Sequence, residues 1–325
     1  MKRKTAVLVV NLGSPEAPTP AAVRRYLKEF LWDRRVVNLP RPLWWLILHG
    51  AVLPFRPRRS AHAYQTIWTE QGSPLTVYTA VLTEKLAQRL STDEHLIVEM
   101  AMRYGQPAIA EKLATYQAQG VERLIVLPLY PQFSSTTTAA VFDAVTAFYE
   151  KAFYIPELCL ISDYHDDPRY LDAIADRIRQ AWAQQGRGQR LLFSFHGLPA
   201  VLSEWGDPYA RQCQRTATLI AERLALASDD WQLVFQSRFG RAEWLKPYCV
   251  ETLQALPNQG ITDIDIICPG FAVDCLETLE EIAITNREVF LQAGGRHYRY
   301  IPALNASDEH VTFLSGVLAA QGIGV

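Results

Sequence analysis

His196 stands where the apolar run Leu191-Leu192-Phe193 gives way to Gly197-Leu198-Pro199, the pattern of a buried strand ending in a turn. Ligands of open parallel α/β sheets bind just beyond the carboxyl ends of the strands, so an imidazole there is placed for chemistry. A second such stretch follows another apolar run: Pro269-Gly270-Phe271-Ala272-Val273-Asp274-Cys275-Leu276-Glu277-Thr278-Leu279-Glu280-Glu281. On an α-helix Asp274, Glu277 and Glu281 fall at i, i+3 and i+7, which predicts carboxylates along one face, with Thr285 and Glu288 continuing the row. The plain alternatives are a hydrogen-bonded structural histidine and a solvated acidic face. One imidazole and one or more carboxylates sharing a cavity suit a borderline divalent ion such as Fe²⁺, and so few donors hold it loosely, as an ion in transit requires. Both group types also exchange protons near neutral pH, an imidazole at its ordinary pKa of about 6.5 and a carboxyl when burial raises it. The pair suits a reaction that trades protons for metal.

Two further stretches occupy predicted strand ends: Met102-Arg103-Tyr104-Gly105, and Gln236-Ser237-Arg238-Phe239-Gly240-Arg241-Ala242-Glu243-Trp244-Leu245. Each supplies a cation, a hydroxyl and an aromatic ring close together. Such sets bind acidic substituents on a flat aromatic ligand, and they also serve as ordinary loop starts.

The elements that must position these residues form one pattern twice. Ala6 to Val10 is a continuous apolar run, as expected for a parallel strand covered on both faces. Thr19 then reads as an N-cap with Pro20 at the first helical position, opening a helix through Leu31. Strands are predicted at His95 to Met102, Val121 to Leu129 and Ile155 to Ile161, with helices at Ala108 to Gln119 and Ala139 to Lys151. In the second half Leu191 to Phe195, Gln232 to Gln236, Ile264 to Ile267 and Tyr298 to Ile301 read as strands, with helical stretches after Cys213, Trp244 and Leu276. Strands alternating with helices mean parallel α/β sheets. The expectation is two Rossmann-like domains, each a four-stranded parallel sheet flanked by helices: residues 1–162, residues 163–307 carrying His196 and Glu277, and a terminal helix within 308–325 packing back. Facing strand ends would create a cleft.

Residues 32–79 form an insertion without a counterpart in the second half. It contains Leu43-Trp44-Trp45-Leu46-Ile47-Leu48, followed by Arg56, Arg58 and Arg59. Two adjacent tryptophans do not both face one narrow helical stripe, which favours an apolar lip beside a large hydrophobic ligand, or a surface touching anionic headgroups, over a buried helix.

With 325 residues and 49% hydrophobic composition the chain supports sizeable cores. A formal net charge of −2 offers no basic field for nucleic acid. Its five cysteines are odd in number, scattered and without a C-x-x-C pair, which disfavours disulfides and thiolate metal sites. Met1-Lys2-Arg3-Lys4-Thr5 runs directly into a strand with no cleavage site, and no stretch approaches roughly 18 uninterrupted apolar residues. A cytoplasmic protein, peripheral on the inner face of a membrane at most, is expected.

The strings Gln71-Gly72-Ser73-Pro74-Leu75, Tyr130-Pro131-Gln132-Phe133-Ser134, Ser194-Phe195-His196-Gly197-Leu198-Pro199, Gln236-Ser237-Arg238-Phe239-Gly240 and Asp274 to Glu281 closely resemble the ferrochelatases, in order and over nearly the whole chain. That resemblance implies a chelatase-like fold that inserts Fe²⁺ into protoporphyrin IX to form protohaem with release of two protons, the last step of haem biosynthesis. It implies His196 and Glu277 as the pair for metal binding and proton removal, acting jointly. Arg103, Tyr104, Ser237, Trp244 and Phe271 would line the pocket, Asp274 and Glu281 would extend an acidic row toward solvent, and the Trp44-Trp45 insertion would be the family's apolar lip, with Leu43 to Leu48 as the place of any peripheral membrane contact. Many family members have a second histidine where this chain has Cys275, and animal members end in a cysteine cluster absent here, so no iron-sulfur cluster or other tightly bound cofactor is expected. The competing expectations are a chelatase for another tetrapyrrole or metal, such as coproporphyrin or cobalt, and a porphyrin or haem carrier without turnover. A nucleotide-binding role ranks lower, because Asn11-Leu12-Gly13-Ser14-Pro15 lacks the spaced glycines that cradle pyrophosphate.

Overall fold

A computed structural model describes residues 3–90, 95–240 and 242–324. Arg241, part of the second cationic stretch, and the terminal Met1 and Lys2 lie outside the described residues. The chain divides into two compact units, one of residues 1–130, 134–162 and 314–325, the other of residues 131–133 and 163–313.

In the first unit β1 (Thr5–Asn11) is buried along its whole length, which is what its unbroken apolar run demands of a central strand. Thr19 caps α1 (Pro20–Trp32) by accepting the Ala22 N–H, with Pro20 in the first turn. The insertion folds as α2 (Arg41–Ile47), a π-helical turn at Leu48–Val52 and α3 (Leu53–Ile67), and α4 (Pro74–Arg89) leads out of it. Then come β2 (Leu96–Met102), α5 (Ile109–Ala118), β3 (Arg123–Pro128), α6 (Thr138–Tyr149) and β4 (Glu157–Leu160). The four strands pair in parallel in the order β2-β1-β3-β4. Leu8 and Val10 of β1 pack with Leu113 and Tyr116 of α5 and Val141 and Val145 of α6. Each such side chain removed from water contributes about 1.5–3 kcal/mol.

The second unit opens with α7 (Pro168–Gln185), capped by Asp167 and closed at Gly186. There follow β5 (Arg190–His196), the single turn α8 (Val201–Glu204), α9 (Tyr209–Arg223), β6 (Trp231–Gln236), α10 (Cys249–Ala255) and β7 (Asp263–Ile267). A ten-residue π-helix, Glu277–Asn286, runs into α11 (Arg287–Gln292), before β8 (His297–Ile301); α12 (Asp308–Ala319) begins in this unit and its residues from 314 on belong to the first. The strand order β6-β5-β7-β8 repeats that of the first unit, again all parallel.

The helix α7 forms where the sequence-based expectation has none, and two further elements differ from theirs. No helix follows Trp244 directly: Pro247 disfavours helix at the residue before it, and its carbonyl accepts the Phe235 N–H at 2.8 Å, tying residues near it to the edge of β6. The helix after Leu276 is π, not α. Its bonds run i→i+5 around a wider turn, so a three-residue spacing no longer stacks side chains on one face.

Candidate active site

In the second unit the chemistry-bearing residues start from two neighbouring strand ends. His196 is the last residue of β5 and Gln236 the last of β6, and the two are register partners. The His196 Nδ1 lies 2.6 Å from the Gly197 carbonyl oxygen. A carbonyl only accepts, so Nδ1 carries the proton, and the lone pair of the neutral ring is left on Nε2. Gly197 follows because nothing larger fits: a Cβ there would lie 2.6 Å from the Gln236 carbonyl oxygen and 3.2 Å from the Trp244 ring. Trp244 is held at that place by an antiparallel bridge to Pro199.

Beyond β6 the backbone turns at Ser237, whose φ of +65° is left-handed, an uncommon state for a residue with a Cβ. That turn aims two donors of one residue at a single carboxylate. The Ser237 N–H reaches Glu281 Oε1 at 2.7 Å, and its hydroxyl donates to Oε2. Burial is the largest influence on the Glu281 carboxyl and pushes it above the usual carboxylate range, the Ser237 bonds and a protonated His196 pull it back, and the charge of Glu277 raises it again. Glu281 thus lies within electrostatic reach of both His196 and Glu277. Burial also holds the Cys275 thiol well above its ordinary value, and its hydrogen bond with Glu277 acts in the same direction. At this position, then, the chain keeps a protonated thiol against the Glu277 carboxylate.

The acidic row requires correction at Asp274. It precedes the π-helix and is 3% exposed, so it does not lead toward solvent. Its carboxylate accepts from the Tyr300 hydroxyl, from Thr278 Oγ1 at 3.0 Å, from Asn305 Nδ2 at 2.7 Å and from the Ala303 N–H at 3.4 Å. A carboxylate so supplied with donors anchors the loop that leads to Glu277. Thr285 and Glu288, by contrast, are exposed. Phe271 packs against the core of its unit and is partly buried.

In the first unit Arg103 and Tyr104 follow β2, their N–H groups donating to the carbonyls of Asn11 at 2.8 Å and Leu12 at 2.9 Å. The loop carrying Leu12 approaches so closely that a Cβ on Gly13, whose φ is +103°, would lie 1.8 Å from the Tyr104 carbonyl oxygen. The Arg103 guanidinium pairs with Asp33, donates through Nε to the Ala140 carbonyl at 2.7 Å, and stacks 4.4 Å over the Tyr104 ring. Tyr104 is 1% exposed, with its hydroxyl 2.9 Å from Asp33. The cation expected to meet acidic substituents is therefore already paired within its own unit. Asp33 and Tyr209, whose hydroxyl bonds the His196 main chain, carry no local sequence signal, and Gln236 stands in a marked stretch without a role of its own. For Gln236 the only available signal was its place at a strand end beside Ser237.

Among the described residues no three His, Cys, Asp or Glu side chains form a group able to hold a metal ion. A two-residue site of one imidazole and one carboxylate suits an ion that is passed on.

A family model described as Ferrochelatase matches residues 4–321. The chain is 58% identical over 315 residues to the ferrochelatase of Methylococcus capsulatus, spanning 97% of this chain and 96% of that one. It is 52% identical over 316 residues to the ferrochelatase of Nitrosococcus oceani, spanning 97% and 86%. Among solved structures, SirB from Bacillus subtilis with Fe³⁺ resembles it with a TM-score of 0.59 at 13% identity, covering 98% of this chain and 97% of that chain. The sirohydrochlorin chelatase SirB from Bacillus subtilis subspecies spizizenii, in complex with cobalt, gives a TM-score of 0.56 at 11% identity, covering 96% and 93%. At such low identity these two speak to fold alone.

Proposed function

Because the chain belongs to the ferrochelatase family and is a metal-insertion enzyme, we propose that it inserts Fe²⁺ into protoporphyrin IX to form protohaem, with His196 and Glu277 as the working pair. A free porphyrin must lose two pyrrole protons as the dication enters. The His196 Nε2 lone pair and the Glu277 carboxylate are the two bases, one proton to each, and either can steady the incoming ion. The observation that carries this assignment is the fixed tautomer of His196 in the same electrostatic neighbourhood as Glu277 and Glu281. Glu281, held up by burial and next to Glu277, receives protons passed on from it, and Asp274 takes no part in that transfer. Ser237, Trp244 and Phe271 of the second unit are assigned to the porphyrin, whereas in the first unit the Arg103 guanidinium is engaged by Asp33 and Tyr104 is buried beneath it.

Anaerobic metallation of protoporphyrin by Fe²⁺, followed by absorbance, tests the assignment. His196→Ala should abolish turnover and Glu277→Gln reduce it severely, with far-UV circular dichroism unchanged. Native rates in the histidine variant would remove its role. Faster metallation of coproporphyrin, or preference for Co²⁺, would reassign the substrate, and porphyrin binding with no acceleration over buffer would make the protein a carrier.

The insertion is assigned a peripheral membrane contact. Among the described residues no helix is long and apolar enough to cross a bilayer. On α2 and α3, however, Leu46 is 62% and Phe55 75% exposed, with exposed Arg58 and Arg59 following, while Trp44 is buried and Trp45 is not. Apolar side chains flanked by arginines suit the headgroup region of an anionic membrane. Co-sedimentation with vesicles containing phosphatidylglycerol should be lost in Leu46→Glu/Phe55→Glu, and unchanged binding in that variant would exclude the contact.

A further inference from the structure

Gln236 is 2% exposed and uses both ends of its amide. Its Oε1 accepts from Ser194 Oγ at 2.8 Å and from the Cys268 thiol at 3.6 Å. Its Nε2 donates to the Glu277 main-chain carbonyl at 2.9 Å and to Glu281 Oε2 at 3.4 Å. The amide orientation is dictated by chemistry, since a carbonyl and a carboxylate oxygen take only donors while a hydroxyl and a thiol can give a proton. Meanwhile its own carbonyl accepts the Gly197 N–H at 2.8 Å, one residue past His196.

We propose that Gln236 is the positioning residue of the reaction: through its main chain it holds the His196 corner, and through its side chain it holds the first turn of the π-helix, setting where Glu277 stands relative to His196. This rests on the assignment of that pair above. A side-chain donor inserted at a first-turn carbonyl is also a recognised way for a helix ladder to be displaced from its regular i→i+4 course, and π turns recur at functional sites. Gln236 itself meets neither metal nor porphyrin. Its effect is purely geometric, and geometry is demanding here, because a displacement of about 1 Å can cost about a hundredfold in rate.

The test uses Gln236→Met, which keeps length and apolar volume but none of the four side-chain hydrogen bonds, and Ser194→Ala, which removes one donor to Oε1 at a remove from the charged groups. Gln236→Met should lower kcat for Fe²⁺ insertion about 10- to 100-fold while KM for protoporphyrin stays within about threefold. Ser194→Ala should lower kcat a few-fold, and the double variant should be no slower than Gln236→Met alone, because Ser194 acts through the amide. Native kcat in Gln236→Met, a rise in KM matching the fall in kcat, or additive losses in the double variant would each overturn the proposal. If Gln236→Met does not fold, Ser194→Ala decides: unchanged kcat overturns it. His196→Ala and Glu277→Gln are run alongside. Turnover in those two sinks the pair and this inference with it, whereas their inactivity beside native kcat in Gln236→Met sinks only the inference.

Discussion

Asp33 and Arg103, 70 positions apart, form an ion pair whose side chains are only 10% and 18% exposed. Asp33 is also where the chain leaves α1 for the insertion: its carboxylate takes the Arg35 N–H at 2.7 Å and its carbonyl the Val37 N–H at 2.9 Å. The root of the insertion is thereby tied to the corner after β2. Removing one partner of a half-buried pair strands the other charge, a larger loss than an exposed pair would show. Asp33→Asn should destabilise the protein by about 2 kcal/mol, and Asp33→Asn/Arg103→Met should recover part of it. Equal denaturation midpoints for native and Asp33→Asn would show the pair to be without energetic consequence.

Gly197→Ala should impair metallation more than it impairs folding. The new methyl would press on the Gln236 carbonyl oxygen, 2.6 Å away, and a backbone atom cannot swing aside as a side-chain tip can. Overpacking of this kind costs about 1–3 kcal/mol, and the displaced residue next to it is His196. Fe²⁺ insertion rates and thermal midpoints measured on the same preparation separate the two losses, and native turnover would contradict the expectation.

His310 is a buried imidazole outside the reaction. Its Nδ1 donates to the Asn305 carbonyl at 2.6 Å and its ring stacks on Phe313. Burial, the largest cause, lowers its pKa from 6.5 to about 4. The unfolded chain therefore binds a proton below about pH 6.5 that the folded chain accepts only near pH 4, so stability is complete above that window and falls as pH drops through it. By about pH 5 the loss from this group amounts to about 2 kcal/mol. Urea midpoints at about pH 7.5 and about pH 5 should diverge less in His310→Gln than in the native protein, and identical divergence would clear His310 of the effect.

The thiols should bind no cluster. Cys213, Cys249, Cys268 and Cys275 are buried, and burial raises each above its ordinary value, so they remain protonated and poor ligands. We expect the purified protein to release no acid-labile sulfide. Sulfide in stoichiometric amount with iron would refute this.

Much of the fold is legible in local pattern. A strand covered on both faces must be apolar at every position, as Ala6 to Val10 is, and a threonine before a proline marks a helix start through the donors it satisfies, as at Thr19. The placement of His196 at a strand end follows from the same rule, since the apolar run stops there and glycine and proline forbid its extension. The start of α7 is legible in the same way, in Asp167 before Pro168, although no helix is among the sequence-based expectations there.

By itself, then, the sequence determined which segments are strands, which strand ends carry chemistry, and, through the His-Gly-Leu-Pro and Asp-Cys-Leu-Glu strings, the family. Only the tertiary structure decided what those groups do to one another. Whether Asp274 faces water or donors from Tyr300, Ala303 and Asn305, and that Ser237 and Gln236 hold Glu281, are matters of partners 26 to 45 positions apart. Periodicity reports which way a side chain leaves its own helix or strand. It is silent on what arrives from elsewhere in the chain, and burial and hydrogen bonding, which set a carboxylate's charge, depend on that arrival.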